Sequence, residues 1–332
     1  MATRRYELKS AASTTPAPRV NYALNPEQLG VVFAPLEPVL VIAGAGSGKT
    51  RTLMYRLARM LELGFSPESI LLLTFTNKAA QEMKRRATDL LSIDGRRITG
   101  GTFHHVGLRI LREHAAFLGL SDGFSILDRE DQIDLMASCT AELNLAVGQH
   151  RFPRADVLVE ITSAAINTQK GIAEVLLARK PQFAPITEEI LRVAQRYVER
   201  KLELHVLDFD DLLLYWKVLL SDHPAVRAAL GKRYACVLVD EYQDTNRLQG
   251  DIIDLMASGH RNLTVVGDDA QSIYSFRGAD FRNILEFPVR YPGCHIHNLT
   301  VNYRSSPEIL RLANLSIARN VHQYKKRSTR GT

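Results

Sequence analysis

The sequence predicts an α/β protein in which a parallel sheet wound with crossover helices carries an all-helical subdomain inserted between two of its strands. Two observations lead there. Short apolar runs without polar alternation recur between segments of helical periodicity, a pattern that suits strands buried on both faces. That strand signal then disappears between about Leu111 and His205. A chain of 332 residues, 45% hydrophobic and 23% charged, is long and apolar enough for two domains with their own cores.

The elements follow in order. Residues 1–22 form a basic leader, with Arg4, Arg5, Lys9 and Arg19 against Glu7, and its Ser/Thr/Pro/Ala stretch from Ser10 to Pro18 reads as flexible. The leader lacks the apolar core of a signal peptide, while its Arg, Ser and Thr content also fits a transit peptide. From about Leu24, strands are expected at VLVIAG (39–44), ILLLTFT (70–76), ITGGTF (98–103), ACVLVDE (235–241), LTVVGDD (263–269) and HIHNLTV (295–301). Within the insert, DREDQIDLMASCTAELNL, RADVLVEITSAAINTQKG and ITEEILRVAQRYVERKLEL repeat at helical spacing. A second basic cluster, Lys325, Lys326, Arg327 and Arg330, lies near the end. The two tails account for the net charge of +6, so the body is close to neutral and bulk basicity by itself does not point to DNA. Cys139, Cys236 and Cys294 are odd in number and widely spaced, which suggests reduced thiols in a cytoplasmic protein. No apolar run approaches the roughly 18–20 residues of a membrane span.

The chemistry begins after the first strand, at AGAGSGKTRT. Gly44, Gly46 and Gly48, with Ala45 and Ser47 between them, allow successive backbone N–H groups to turn inward around a phosphate chain. The helix opening at Lys49 adds its dipole, Lys49 reaches the outer phosphates, and Thr50 offers a hydroxyl to magnesium. Ala43 replaces the usual first glycine of this pattern. In ACVLVDEYQDTNRLQ an apolar strand ends in Asp240 and Glu241, which places two carboxylates where ligands of open α/β sheets bind. Asp240 can hold magnesium, and Glu241 can take the proton of an attacking water. With Lys49 expected on a neighbouring strand, the set reads as a nucleotide hydrolase. A guanine-specific protein would use an NKxD segment, and TNKAA has Ala80 at the position of that aspartate.

Three further segments end strands in aromatic and polar residues: Phe75 and Asn77 in TFTNKAA, His104 in GTFHH, and Gln271 followed by Tyr274, Phe276 and Arg277 in GDDAQSIYSFRGAD. Aromatics and cations gathered on one sheet edge make a stacking platform for single-stranded bases.

In sequence order, LNPEQ, AGAGSGKT, TFTNKAAQEM, GTFHH, DFDDLL, LVDEYQDTNRLQ, GDDAQSIYSFRGAD and VNYRSSPEI resemble the amino-terminal half of UvrD/Rep-type superfamily 1 DNA helicases, from about Leu24 to Asn320. The resemblance implies a RecA-like P-loop motor domain over residues 23–110 and 206–298, a helical insert over 111–205, and the opening segment of a second motor domain over 299–332. It implies ATP and Mg2+ as cofactors, single-stranded DNA and duplex junctions as partners, and 3′ to 5′ movement. By the same resemblance Gln28 would read the adenine, Arg51 and Tyr303 would stack on the base, Gln271 would sense the γ-phosphate, and Arg304 would act as an arginine finger. Phe75, Asn77 and His104 would line the single strand together with Tyr274, Phe276 and Arg277. His105 replaces the family's usual serine, and Phe276 stands where some members have tryptophan. Because the family closes its ATP cleft with a second motor domain, the chain alone is expected to be a weak or inactive motor. The alternative is a stand-alone ATP- and DNA-binding module.

Overall fold

A computed structural model of the chain describes residues 22–91, 94–145, 151–273, 278–320, 324 and 329–331. The chain enters through α1 (Pro26–Val32), where Asn25 and Gln28 form a reciprocal capping box. Three strand–helix pairs follow: β1 (Val39–Ala43) with α2 (Lys49–Glu62), β2 (Ile70–Thr74) with α3 (Asn77–Leu91), and β3 (Thr99–Thr102) with α4 (Phe103–His114). After β4 (Ser125–Ile126) come α5 (Arg129–Leu143), α6 (Ala155–Thr168), α7 (Ile172–Arg179) and α8 (Thr187–Glu203), and β5 (Val206–Leu207) closes the excursion. The chain returns through α9 (Phe209–Asp222) and α10 (Pro224–Arg233) to β6 (Cys236–Val239), α11 (Arg247–Ala257) and β7 (Leu263–Gly267). Short α12 (Arg282–Leu285) and α13 (Phe287–Arg290) precede β8 (His295–Leu299), β9 (Val301–Asn302), α14 (Pro307–Ile317) and β10 (Thr329–Arg330).

The six expected strands form one parallel sheet in the order β3-β2-β6-β7-β1-β8. Alternate residues of each central strand enter opposite cores. Leu40, Ile42, Leu71, Leu73, Val237 and Val239 pack with α4, α9 and α11 on one face, with Trp216 fully buried among them. Val39, Val41, Leu72 and Leu238 meet Leu53, Leu57 and Met83 of α2 and α3 on the other. This two-sided burial explains the unbroken apolar runs. β8 departs from that expectation. It is an edge strand with alternating exposure, so its His295, His297 and Asn298 are compatible with a half-solvated position.

The insert has a separate core, including Met136, Cys139, Leu158, Ile161, Val193 and Tyr197. It is not purely helical at its base. Ser125–Ile126 pairs in parallel with Val206–Leu207, a ladder too short to leave a periodic signal, and α4 runs unbroken past residue 110 to His114. Among the described residues no helix is long and apolar enough to cross a membrane.

Two buried cations tie the parts together. Arg56 of α2, 1% exposed, donates to the carbonyls of Val32, Ala34 and Pro35 and so clamps the end of α1; burial pulls its guanidinium down to about 10. Lys201 of α8 donates to Asp208 (2.7 Å) and Asp211 (2.6 Å), while the Tyr197 hydroxyl donates to Asp208 (3.1 Å). Burial opposes the charge on Lys201, yet the two carboxylates outweigh it and its pKa is raised. Asp208 also caps α9, so this cluster joins the last insert helix to the first helix after it. Lys201→Met should lower stability by about 3–5 kcal/mol at neutral pH, because two buried carboxylates lose their cation. Urea denaturation checks this, and an unchanged midpoint would contradict it.

Candidate nucleotide site and strand-end platform

The turn between β1 and α2 depends on glycine at two positions. Gly46 and Gly48 have φ of +72° and +84°, in the left-handed region. Space is also closed to a side chain there: a Cβ on Gly46 would stand 2.8 Å from the Arg304 Cβ, and one on Gly48 2.8 Å from the Gln28 amide nitrogen. Ser47 Oγ donates to the Gly44 carbonyl (2.8 Å), and Gln28 Nε2 donates to the Ser47 carbonyl (3.1 Å). Gln28 is 3% exposed and its amide is used at both ends, on Ser47 and on Asn25. In this structure it braces the phosphate loop from behind, with one N–H and one lone pair of the amide engaged. Ala43, at the first position of the motif, is fully buried as the last residue of β1.

The two carboxylates follow β6, which is not adjacent to β1 as expected. β7 lies between them. Lys49 nevertheless spans the gap, with Nζ 2.9 Å from Glu241 Oε2, and the Thr50 hydroxyl faces Asp240 Oδ2 at 3.5 Å. Burial, and then the adjacent Glu241, push Asp240 up to about 6. Asp244 is pushed up to about 6 by the same two causes in the same order. Glu241 sits at φ +50°, strained for a non-glycine residue, and two contacts hold its carboxylate: Lys49, and Gln243 Nε2 at 2.8 Å.

Gln243 was not singled out in the sequence. It is 1% exposed, and its Oε1 accepts from the backbone N–H of Asp268 (2.9 Å), just past β7. Asp268 in turn accepts from the Gln271 side-chain amide. The intervening strand therefore supplies a continuous polar path, Lys49–Glu241–Gln243–Asp268–Gln271. Its trace in the sequence is no more than an amide near the acidic residues of DEYQD.

The segment after β8 is fastened onto the phosphate loop. Asn302 Nδ2 donates to the Ala45 carbonyl, and its Oδ1 accepts from the N–H groups of Arg304 and Ser305, both at 2.8 Å. The Tyr303 N–H donates to the Gly46 carbonyl (2.9 Å), and the Tyr303 hydroxyl accepts from Asn25 (2.7 Å). A cleft of about 600 Å³ results. Lys49, Thr50, Glu241, Gln271, Tyr303 and Arg304 line it together with Arg51, whose guanidinium also donates to the Ala23 carbonyl. Glu82 and Arg86 of α3 line it too, paired at 2.7 Å, and sequence reasoning had not placed either at this site.

Chemically, the cleft offers a glycine-rich turn and a lysine ammonium for an anion, a half-buried hydroxyl beside a buried carboxylate as hard oxygens suited to magnesium, an ionisable base, and an exposed arginine. One carboxylate and one hydroxyl suffice for such a cation when phosphate and water complete its shell.

Phe75, Asn77 and His104 stand at the ends of the adjacent strands β2 and β3, beside the nucleotide strands on the same sheet edge. Phe75 is half-buried and Asn77 is exposed at the start of α3. His104 packs edge-on against Phe209, with ring centroids 5.9 Å apart, and burial lowers its pKa. It is therefore a neutral ring near pH 7. Tyr274, Phe276 and Arg277 lie outside the described residues.

Asp240 generates a pH prediction. Its carboxyl titrates near 6 when folded and near 3.9 when unfolded, so the folded state binds the extra proton between these values and stability falls as pH rises through that window. Asp240→Asn should therefore stabilise the ligand-free chain by about 2–3 kcal/mol above pH 7. That gain should fade below pH 4. Denaturant titrations at the two pH values test this, and a pH-independent difference would refute the assignment.

The matches to known proteins agree with this geometry. The family model described as the UvrD/REP helicase N-terminal domain matches residues 24–292. The chain is 39% identical to the ATP-dependent DNA helicase PcrA of Leuconostoc citreum, over 92% of this chain and 40% of that protein. It is 38% identical to PcrA of Bacillus subtilis, over 91% and 40%, and 37% identical to the ATP-dependent DNA helicase Rep of Salmonella typhimurium, over 92% and 44%. The chain thus spans about two fifths of the length of these curated relatives. With four fifths of its residues matched and an intact phosphate loop facing paired carboxylates, the chain belongs to the UvrD/REP helicase N-terminal domain family.

Proposed function

We propose that this chain is the nucleotide-binding motor portion of an ATP-dependent DNA helicase that moves 3′ to 5′ on single-stranded DNA and works at duplex junctions. The observation that carries the proposal is the meeting of Lys49, Thr50, Asp240, Glu241 and Arg304 at one cleft of nucleotide size, beside an aromatic strand end on the same sheet edge. The free thiols of Cys139, Cys236 and Cys294 suit a reducing cytoplasm.

The residues act as follows. The N–H groups of residues 45–49 and the Lys49 ammonium bind the phosphates, so Lys49 exchanges its carboxylate partner for phosphate oxygens. Thr50 and Asp240 would hold Mg2+, whose charge, when bound, would screen the phosphates and lower the raised pKa of the Asp240 carboxyl. Glu241, released from Lys49, accepts the proton of the attacking water. Gln271, tied to Glu241 through Asp268 and Gln243, senses the outer phosphate and connects it to the DNA-facing Tyr274, Phe276 and Arg277. Arg304, whose backbone is fixed by Asn302, stabilises developing charge, a role worth about 10³–10⁵ in rate. Tyr303 and Arg51 flank the base. A second motor domain, in the same chain or another, would complete the cleft, and its opening and closing would convert hydrolysis into movement.

Glu241→Gln should bind ATP at least as tightly as wild type, because it frees Lys49, while turnover falls by about 10²–10⁴. Lys49→Ala should lose nucleotide binding. Calorimetric titration and phosphate-release assays, with and without single-stranded DNA, check both; equal ATP affinity in wild type and Lys49→Ala would overturn the site. Binding of both ligands without turnover is the outcome expected of half a motor, and clear DNA-stimulated turnover would mean that the cleft is completed by self-association or by what is present of the second domain. Phe75→Ala and His104→Ala should each weaken single-strand binding by about 1–3 kcal/mol with little change in salt slope, since stacking and a neutral imidazole release few counterions. A salt slope that drops with either substitution would point to phosphate contact instead.

A further inference from the structure

The carboxyl-terminal end of α6 reaches the motor core at α9 and α11, and it carries an amide with three partners. Asn167 Nδ2 donates to Asp210 Oδ1 (2.6 Å) and to the Ser163 carbonyl, while its Oδ1 accepts from Asn246 Nδ2 (2.6 Å). Asn246 ends the segment that begins with Asp240 and Glu241, is 6% exposed, and caps α11. Its backbone is held in turn, because Asn283 donates to the carbonyls of both Thr245 and Asn246, and the Asp280 N–H donates to Thr245. Asp210 follows Phe209, the ring against which His104 packs. Gly278, where the chain is again described after residue 273, passes close enough that a Cβ there would stand 3.5 Å from the Asn167 Cβ.

Two segments with different tasks therefore meet at one side chain, the carboxylate segment and the start of α9 beside the strand-end histidine, and Gly278 passes close by. A parallel bridge reinforces the joint. Lys217 of α9 donates to Gln169, just past Asn167, and to Asp251 of α11 (2.8 Å), while Ile166 packs against the main core. The amide suits the position because it presents a donor to the Asp210 carboxylate and an acceptor to the Asn246 amide at once. Neither a carboxylate nor an apolar side chain can do both.

We propose that Asn167 is a positioning residue through which nucleotide in the cleft and single-stranded DNA at the strand ends influence each other's binding, with the insert as an energetic part of the motor. The proposal rests on the functional reading above. If the Asp240–Asn246 segment shifts when the cleft fills, the Asn246–Asn167–Asp210 path carries that shift to Phe209 and His104, and by reciprocity bound strand feeds back on nucleotide affinity.

The test measures the affinity of this chain for a fluorescent oligo-dT by anisotropy, with and without a non-hydrolysable ATP analogue and Mg2+. In wild type the two affinities should differ by about 5-fold or more. Asn167→Ala should bring their ratio close to one while nucleotide affinity measured alone stays within about 2-fold, because coupling is a property separate from the affinity of either site. Asn167→Asp should also lose the coupling, since it sets a carboxylate against Asp210. Combining Asn167→Asp with Asp210→Asn should restore it, because the exchanged pair again has donor facing acceptor and Asn246 keeps its acceptor. A purely structural defect would weaken nucleotide binding measured alone, which the coupling role leaves unchanged. A wild-type ratio retained in Asn167→Ala, a wild-type ratio of one with both ligands bound, or failure of the exchanged pair to recover coupling would each overturn the proposal. Failure of wild type to bind nucleotide or oligo-dT at all would instead remove the functional reading, and this inference with it.

Discussion

A strand buried on both faces has no side chain to spare for chemistry along its length, so its polar residues must sit at its ends. The rest of this molecule depends on that constraint. Every central strand sends alternate residues into two dry cores, and because all six run parallel, their carboxyl ends share one edge. The phosphate loop, the carboxylate pair, the glutamine segment and the aromatic strand ends are therefore collected along a single line. Their neighbour relations are those of the strands that carry them.

Strand order then decides which groups can act together. With β7 between β1 and β6, Lys49 and Glu241 come from strands that do not touch, and the gap is bridged by a long lysine and by Gln243. The same arrangement holds two carboxyls, Asp240 and Asp244, above their ordinary pKa range and keeps Glu241 in a left-handed backbone conformation. Each feature is unfavourable in the ligand-free chain. A divalent cation would relieve the first by supplying positive charge to Asp240.

The insert is joined to this edge at both of its approaches. At its exit, Lys201 shares its charge between Asp208 and Asp211 in a fully buried cluster. At the end of α6, Asn167 and Gln169 reach α9 and α11. Between these joints the insert keeps a core of its own.

The sequence by itself determined the features that are local in the chain. The six strands are legible because two-sided burial leaves continuous apolar runs, and the phosphate loop is legible because its cradle is built from consecutive residues between one strand and one helix. Asp240 and Glu241 could be placed because a strand end is also a local feature. The tertiary structure alone decided the strand order, the separation of β1 from β6, the bracing role of Gln28, the fastening of Asn302 onto Ala45, the presence of Glu82 and Arg86 in the cleft, and the short ladder between β4 and β5. Each of these joins residues far apart in sequence through one or two hydrogen bonds or a change of neighbour. Such contacts impose no periodicity and little compositional bias on the chain, so nothing in the linear pattern records them.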